Sequence, residues 1–424
     1  MSVDLIARAL GARSGPTANT AALIAALRSN GAATCPLERL PASDQPVLTQ
    51  GGAGANSTIN ARAYWNPLFL CENPVFTYLS GPIVKAGTTS PSWGYARSRG
   101  AAYGGGGRGS GPFAYEFMHS GTQLEIPVFG MGNPGTNFRV LVNGCIAGTM
   151  ALPYNTGQGC YVKLVFPVSG TRRITVETQS VPVNGVNVAN AAEIASTGAA
   201  RPLVTVIGDS FAEGTGAALG EGEVLVMARA LGFDCSLAAS GGTGMLNPGT
   251  RVNFLDPERL LDMTLSGITS VQTGAAAADP KLAVVLGTMN DHLSSPGAFG
   301  ATLQEAIANR THAMIDAWQA ARPGKPIVFF GPTWPSGPPN NRPPLTVYNV
   351  RDGIMEAAWS RANENVWYID RLMPHLREGV WNTASDQASL YTTTDGTHPT
   401  ALGHKLDGLW MATVLRRLIL SEFA

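Results

Sequence analysis

Val206-Ile207-Gly208-Asp209-Ser210-Phe211 is an apolar run that breaks at a glycine and delivers a serine hydroxyl onto a loop. The run begins at Leu203, so a buried strand is expected over 203–207. A short continuous apolar stretch bounded by turn signals fits a strand covered on both faces. The pattern recurs downstream at Phe233 to Ala238, Leu282 to Leu286, Ile327 to Phe330 and Val366 to Ile369. Helical stretches separate these runs, from about Gly222 to Leu231 and from Ala301 to Ala321. Strands alternating with helices imply an α/β domain with a parallel sheet covered on both faces. In open sheets of this kind, sites lie beyond the carboxyl ends of the strands. Ser210 falls at such an end.

A serine hydroxyl is a poor nucleophile at neutral pH and needs a base within hydrogen-bond reach, itself oriented by a third group. Asp395-Gly396-Thr397-His398-Pro399 offers both: His398 as the base and Asp395, across a Gly-Thr turn, as the orienting carboxylate. Attack on an ester also leaves a negative oxygen that preorganised donors must receive. Two further strand ends can supply them. Ala239-Ser240-Gly241-Gly242-Thr243-Gly244 allows a backbone N–H to approach closely, and Gly287-Thr288-Met289-Asn290-Asp291 brings a side-chain amide. Taken singly, each block reads as an ordinary turn or helix cap, because Asp, Ser, Asn and Gly favour those positions. Their order and their shared placement at strand ends point to catalysis. The Gly-x-Ser-x-Gly elbow of the α/β-hydrolases is absent, since Ala212 occupies the position of its second glycine.

With these four blocks in this order, residues 201–424 resemble the SGNH (GDSL-type) hydrolases, a family named for its Ser, Gly, Asn and His. The resemblance implies a flavodoxin-like three-layer domain with Ser210 as nucleophile and Asp395 and His398 completing the triad. It implies an oxyanion hole built from Ser210, Gly241 and Asn290, with no cofactor and no metal. Two departures stand out. The third block usually reads Gly-x-Asn-Asp, whereas Gly287 here lies one residue further from Asn290, which predicts a reshaped turn. In the second block Gly241 and Gly242 are adjacent and either N–H can face the oxyanion; Gly241 is preferred.

A chain of 424 residues exceeds one ordinary domain, and 44% hydrophobic residues can fill more than one core. Zero formal charge with only 14% charged residues argues against a nucleic-acid binder held by a broad basic surface. Five cysteines are an odd number without a Cys-x-x-Cys spacing, so free buried thiols are expected, with a pairing of Cys145 and Cys160 across one hairpin as the alternative. No histidine pairs with cysteine or carboxylate at metal-ligand spacing. Met1 to Arg8 has an acid early and no long apolar core, so no secretory signal is read there, and no run approaches the roughly 18 apolar residues of a membrane span. The compartment stays open; extracellular or virion-associated action is compatible with the sequence.

Residues 1–60 read as a helical and turn-rich segment, with helical spacing at Leu5 to Leu10 and Thr20 to Leu27. Docking on another protein and packing on its own chain are both open for it. Residues 61–183 show short alternating runs separated by turn signals: Phe113 to Met118, Gln123 to Val128, Phe138 to Gly144, Cys160 to Phe166 and Arg173 to Glu177. They predict an antiparallel, jelly-roll-like β-sandwich, with Val142-Asn143-Gly144 as a hairpin turn. Residues 184–200 read as a linker. A sandwich preceding an SGNH domain resembles the layout of certain carbohydrate esterases, which implies a module that positions a glycan. Trp65, Trp93, Tyr95 and Tyr103 are then candidates for stacking on sugar rings, against the ordinary role of aromatics in a core. Trp334, in a proline-rich loop after a strand, is a candidate wall of the substrate pocket. Together these readings predict a serine esterase acting on O-acetyl groups of a polysaccharide, with neither nucleic acid nor membrane as partner. The alternatives are a lipase, thioesterase or arylesterase on the same triad, or a glycan-binding structural virion protein with a vestigial hydrolase fold; a homo-oligomeric or phage-tail setting fits either.

Overall fold

The computed structural model describes residues 21, 23–25, 27, 39–52, 57–59, 75–81, 83–85, 96–98, 113–129, 136–151, 159–179, 181, 183, 185–198, 201–265, 279–334, 343–372 and 391–422. The N-terminal half is built from β1 (Val47–Gln50), β2 (Thr77–Gly81), β3 (Ile83–Lys85), β4 (Ala96–Ser98), β5 (Phe113–His119), β6 (Gln123–Phe129), β7 (Thr136–Val142), β8 (Cys145–Ala151), β9 (Gly159–Val165), β10 (Arg172–Thr178), β11 (Asn187–Val188) and β12 (Ile194–Ala195). The C-terminal half carries strands β13 (Leu203–Gly208), β14 (Asp234–Ala239), β15 (Leu282–Leu286), β16 (Ile327–Phe330) and β17 (Val366–Ile369). Its helices are α1 (Ser210–Glu213), α2 (Glu223–Leu231), α3 (Pro257–Thr264), α4 (Leu303–Ala321), α5 (Leu345–Ser360) and α6 (Ala401–Glu422).

The five C-terminal strands are parallel in the order β17-β16-β15-β13-β14. This is the flavodoxin-like order, whose switch point lies between the first strand and the third. Every residue of β13, β14, β15 and β16 is buried. The pleat then divides their side chains between two cores. Val204, Val206, Leu237, Val284 and Val328 face one side and pack with residues of α2 and α6. Ile207, Ala238, Ala283, Val285 and Phe329 face the other and pack with α4 and α5. Leu23, Ile24 and Leu27 join the first of these cores, so the described part of the N-terminal helical segment packs on its own chain.

The sandwich has its own core, drawn from Phe117, Ile126, Val140, Val162 and Val176 among others. One of its sheets runs β1-β9-β6-β11, all antiparallel. The other is not separate from the hydrolase sheet. β2 lies parallel to β14 on one side and antiparallel to β5 on the other, so the path β14-β2-β5-β10-β7-β8 carries the sheet from one module into the next. Ion pairs to the buried carboxylates Glu177, Glu116 and Asp234 reinforce the junction. Glu177 on β10 accepts from Arg139 Nε at 2.6 Å and from Arg229 of α2, and Arg139 reaches Glu221 at 2.8 Å. Arg201 bridges Glu116 at 2.6 Å and Asp234 at 2.7 Å.

The predicted hairpin joins β7 to β8, with Asn143 and Gly144 both at positive φ, 52° and 90°. A two-residue loop of this hand matches the twist of the flanking strands. Two segments differ from the sequence reading. Val47–Gln50, within the N-terminal segment, pairs with β9, and the span read as linker contains β11 on β6 and β12 on β5. These pairings bridge distant parts of the chain, and two-residue strands carry no alternation by which they can be recognised. Cys145, Cys160 and Cys235 are free thiols. His119, at the end of β5, is fully buried against the Phe166 ring, and burial together with the nearby Arg172 pushes its pKa down to about 4. Among the described residues no helix is long and apolar enough to cross a membrane.

Candidate active site

β13 ends at Gly208, and the chain turns at once into α1, with Ser210 as its first residue and Asp209 as its N-cap. The serine therefore starts a short helix instead of lying in a loop. Asp209 is fully committed to this turn. Its carboxylate accepts from Phe211 N–H at 3.0 Å, from the Thr288 hydroxyl, and from Asn290 Nδ2 at 3.1 Å. Burial raises its pKa, opposed by those hydrogen bonds. The N–H of Ser210, in the first turn of a helix, has no carbonyl partner within that helix.

Thr392 to Pro399 form the turn that brings His398 to Ser210. Thr392 and Pro399 are bridged, and Thr393 N–H donates to His398 O at 2.8 Å. His398 Nε2 lies 2.9 Å from Ser210 Oγ, and its Nδ1 lies 2.7 Å from Asp395 Oδ2. Asp395 Oδ1 also accepts from Thr393 Oγ1 at 2.7 Å, Thr397 N–H at 2.8 Å and His398 N–H at 3.0 Å. Burial acts to raise the Asp395 pKa, but the His398 ring and these donors outweigh it and hold the carboxyl well below the usual carboxylate range. A permanently ionised carboxylate on Nδ1 fixes the tautomer in which Nε2 is free to take a proton. The Phe211 ring packs beside the imidazole, centroids 5.6 Å apart.

The two remaining blocks stand on either side of Ser210, after β14 and β15. Gly241 is so close that a Cβ on it would lie 3.3 Å from Ser210 Cβ. Its N–H donates to Glu213 Oε2 at 2.9 Å. Asn290 sits in the short 3₁₀ turn Met289–Asp291, capped by Thr288, whose Oγ1 accepts from Asn290 N–H at 3.0 Å. Thr288 is thus the extra residue of this block, and it spends its side chain on the cap and on Asp209. Gly287 has no room for a side chain, since a Cβ there would meet Phe330 O at 2.8 Å. Asn290 Nδ2 donates to Thr243 O at 3.0 Å as well as to Asp209, tying the second block to the first and third.

Asp291 completes the tie. It is fully buried and its carboxylate accepts from the backbone N–H groups of Met245, Leu246 and Asn247 at 2.7, 2.9 and 2.8 Å. Arg259, also fully buried, donates to the Gly208 and Ala238 carbonyls at 2.7 and 2.9 Å and to Thr243 Oγ1 at 2.7 Å, so one guanidinium braces two strand ends. Trp334 packs edge-on against His292, two residues beyond Asn290, with centroids 5.2 Å apart. Trp65, Trp93, Tyr95 and Tyr103 lie outside the described residues. Sequence reasoning passed over Glu213, Asp291 and Arg259. An acid one helical turn after the serine was the available signal for the first, and an acid directly after the asparagine for the second; nothing in the sequence marks Arg259.

A serine, an imidazole and a carboxylate thus stand in hydrogen-bond series at the switch point of a flavodoxin-like sheet. Residues 206–406 match the model of the GDSL-like Lipase/Acylhydrolase family, and this part of the chain is an SGNH (GDSL-type) hydrolase domain. A comparison with curated proteins gives no match. Among solved structures, the chain is similar to a salicylyl-acyltransferase from a tetracycline biosynthetic pathway, at 17% identity and TM-score 0.59, covering 83% of this chain and 98% of that one. It is also similar to a family two carbohydrate esterase from Clostridium thermocellum in complex with cellohexaose, at 15% identity and TM-score 0.54, covering 81% and 99%. A family two carbohydrate esterase from Cellvibrio japonicus follows at 13% identity and TM-score 0.55, covering 88% and 98%. The likeness is one of fold, and the sandwich followed by the hydrolase domain is the layout resembled.

Proposed function

We propose that this chain is a carbohydrate O-acetylesterase that works through a Ser210–His398–Asp395 triad. The observation that carries the reading is the series of two contacts, 2.9 Å from Ser210 Oγ to His398 Nε2 and 2.7 Å from His398 Nδ1 to Asp395 Oδ2. In this reading Ser210 Oγ attacks the acetyl carbonyl carbon while His398 takes its proton. Asp395 stabilises the imidazolium, and the N–H groups of Ser210 and Gly241 with the Asn290 amide receive the oxyanion. His398 then returns the proton to the departing sugar hydroxyl. Water, activated by the same imidazole, attacks the acetyl-serine and releases acetate.

The acetyl and glycan preferences are supported by the shared layout of a sandwich before the hydrolase domain. We divide the chain accordingly into a segment 1–60 whose strand β1 joins the sandwich, a sandwich 61–183, a connection 184–200 whose strands β11 and β12 also pair with it, and a hydrolase domain 201–424, with the sandwich as the glycan-positioning module and Trp334 as a wall of the pocket. An intact relay at hydrogen-bonding distances weighs against a vestigial fold that only binds glycan. The test is acetate release from an acetylated polysaccharide, run beside acetyl and octanoyl nitrophenyl esters, with Ser210→Ala as control. Faster turnover of the octanoyl ester with no acetate from polysaccharide would replace this reading with a lipase.

A further inference from the structure

The N–H that the proposed mechanism needs from Gly241 is already taken. Glu213 Oε2 accepts it at 2.9 Å. α1 carries the nucleophile at its first residue and this carboxylate at its last, and the helix stops there because Gly214 caps it at φ 84°. The contact is therefore built by the same turn that presents Ser210. Glu213 Oε1 is buried and has no hydrogen-bond partner among the described residues. A carboxylate with one oxygen on a backbone donor and the other unsolvated is a poor place for a permanent charge.

We propose, on the esterase reading, that Glu213 is a positioning residue of the oxyanion hole: as the carboxylate it occupies the Gly241 N–H and shuts the hole, and as the neutral acid it yields that N–H to the oxyanion. The reason is electrostatic. A forming oxyanion must sit against the same N–H, and two anions cannot share one donor in a water-poor site. A neutral carboxyl oxygen is a weak acceptor and gives way.

The groups facing Glu213 place the switch in an accessible range. Burial is the largest influence and raises its pKa; Arg251, the Gly241 N–H and Arg259 lower it and Asp209 raises it, leaving the carboxyl at about 7. As pH climbs through that value the carboxylate form takes over. Two pH units above it, only about one molecule in a hundred retains the neutral acid, so kcat/KM, which reports the free enzyme, falls by about 10².

Two measurements test this. The first needs no turnover: with ¹⁵N-glycine labelling, one glycine amide proton should move downfield as pH rises through about 7 in the wild type, and the movement should vanish in Glu213→Gln, which keeps the shape and an acceptor oxygen but cannot ionise. The second is the pH profile of kcat/KM on nitrophenyl acetate. The wild type should decline on the alkaline side, and Glu213→Gln should stay flat there and exceed it by about 10² at pH 9. No titrating glycine amide in the wild type, its persistence in Glu213→Gln, or an unchanged alkaline decline in that variant overturns the proposal. If the amide titrates and loses its titration in the variant while the wild type hydrolyses no ester, the esterase reading falls, and with it the role in turnover. If hydrolysis is present and the titration is absent, the gate alone falls.

Discussion

Replacing Asn290 with alanine separates a structural consequence from the catalytic one that the proposed mechanism attaches to the same amide. In the resting protein Nδ2 donates to Thr243 O at 3.0 Å and to Asp209 Oδ2 at 3.1 Å. Asp209 keeps the Thr288 hydroxyl on that oxygen and Phe211 N–H on the other, so its loss is one hydrogen bond to a charged group. Thr243 O loses the same donor. Together these should lower stability by about 2–4 kcal/mol, which a protein stable by about 5–15 kcal/mol survives folded. The catalytic consequence is independent: an oxyanion donor acts as charge develops, and its removal should lower kcat by about 10²–10³, or about 2.7–4 kcal/mol, with little change in KM. Thermal unfolding reads the first, several degrees of lowered Tm. Steady-state kinetics on nitrophenyl acetate at a temperature well below Tm reads the second. A lowered Tm with unchanged kcat would mean that the amide only ties the three strand-end loops together and that the hole is built elsewhere. A raised KM at constant kcat would make it a ground-state contact.

Ser210→Ala should abolish ester turnover by several orders of magnitude with the circular dichroism spectrum unchanged; activity within tenfold of the wild type would refute the nucleophile. Asp395→Asn should cost about 10⁴ in kcat, because the amide no longer selects the tautomer that leaves Nε2 free, and a loss under tenfold would show that backbone contacts alone orient the ring. His119 titrates near 4 in the folded protein against 6.5 in its ordinary state. Its neutral form is the one the fold accepts, so stability is complete above pH 6.5 and declines as pH falls towards 4, by about 3 kcal/mol in all. His119→Phe should flatten this part of a pH-dependent unfolding curve, and an unchanged slope between pH 6.5 and 4 would refute the assignment.

Much of the hydrolase sheet was legible because its strands are covered on both faces and so are written as unbroken apolar runs. β15, β16 and β17 have the boundaries that Leu282 to Leu286, Ile327 to Phe330 and Val366 to Ile369 suggest. Asn143-Gly144 was legible because few residues tolerate two successive positive φ values. The series Ser210, His398, Asp395 was legible from block order, since each residue type has a chemical reason to be there. What the sequence concealed depends on pairing between distant segments. Ser80 and Gly81 lie beside Cys235 and Ser236 with nothing in either stretch to announce it. The same holds for Glu213 on Gly241 and for Arg259 on two strand ends: each is a single polar side chain whose partner is backbone, and backbone leaves no mark in a sequence. Leu23, Ile24 and Leu27 showed a helix with an apolar face but not what would cover it.

The strand Thr77–Gly81 gives the molecule a property that neither module has alone. β14 would otherwise be the outer strand of the hydrolase sheet, buried along its whole length and rich in small apolar residues, with its free amides and carbonyls open to another chain. β2 pairs with Cys235 and Ser236 of that edge and hands the hydrogen bonding on to the sandwich. The sandwich therefore protects its neighbour from self-association whatever it binds. A chain begun at residue 201 would keep every member of the Ser210–His398–Asp395 relay and yet lose its guard against polymerising through that edge.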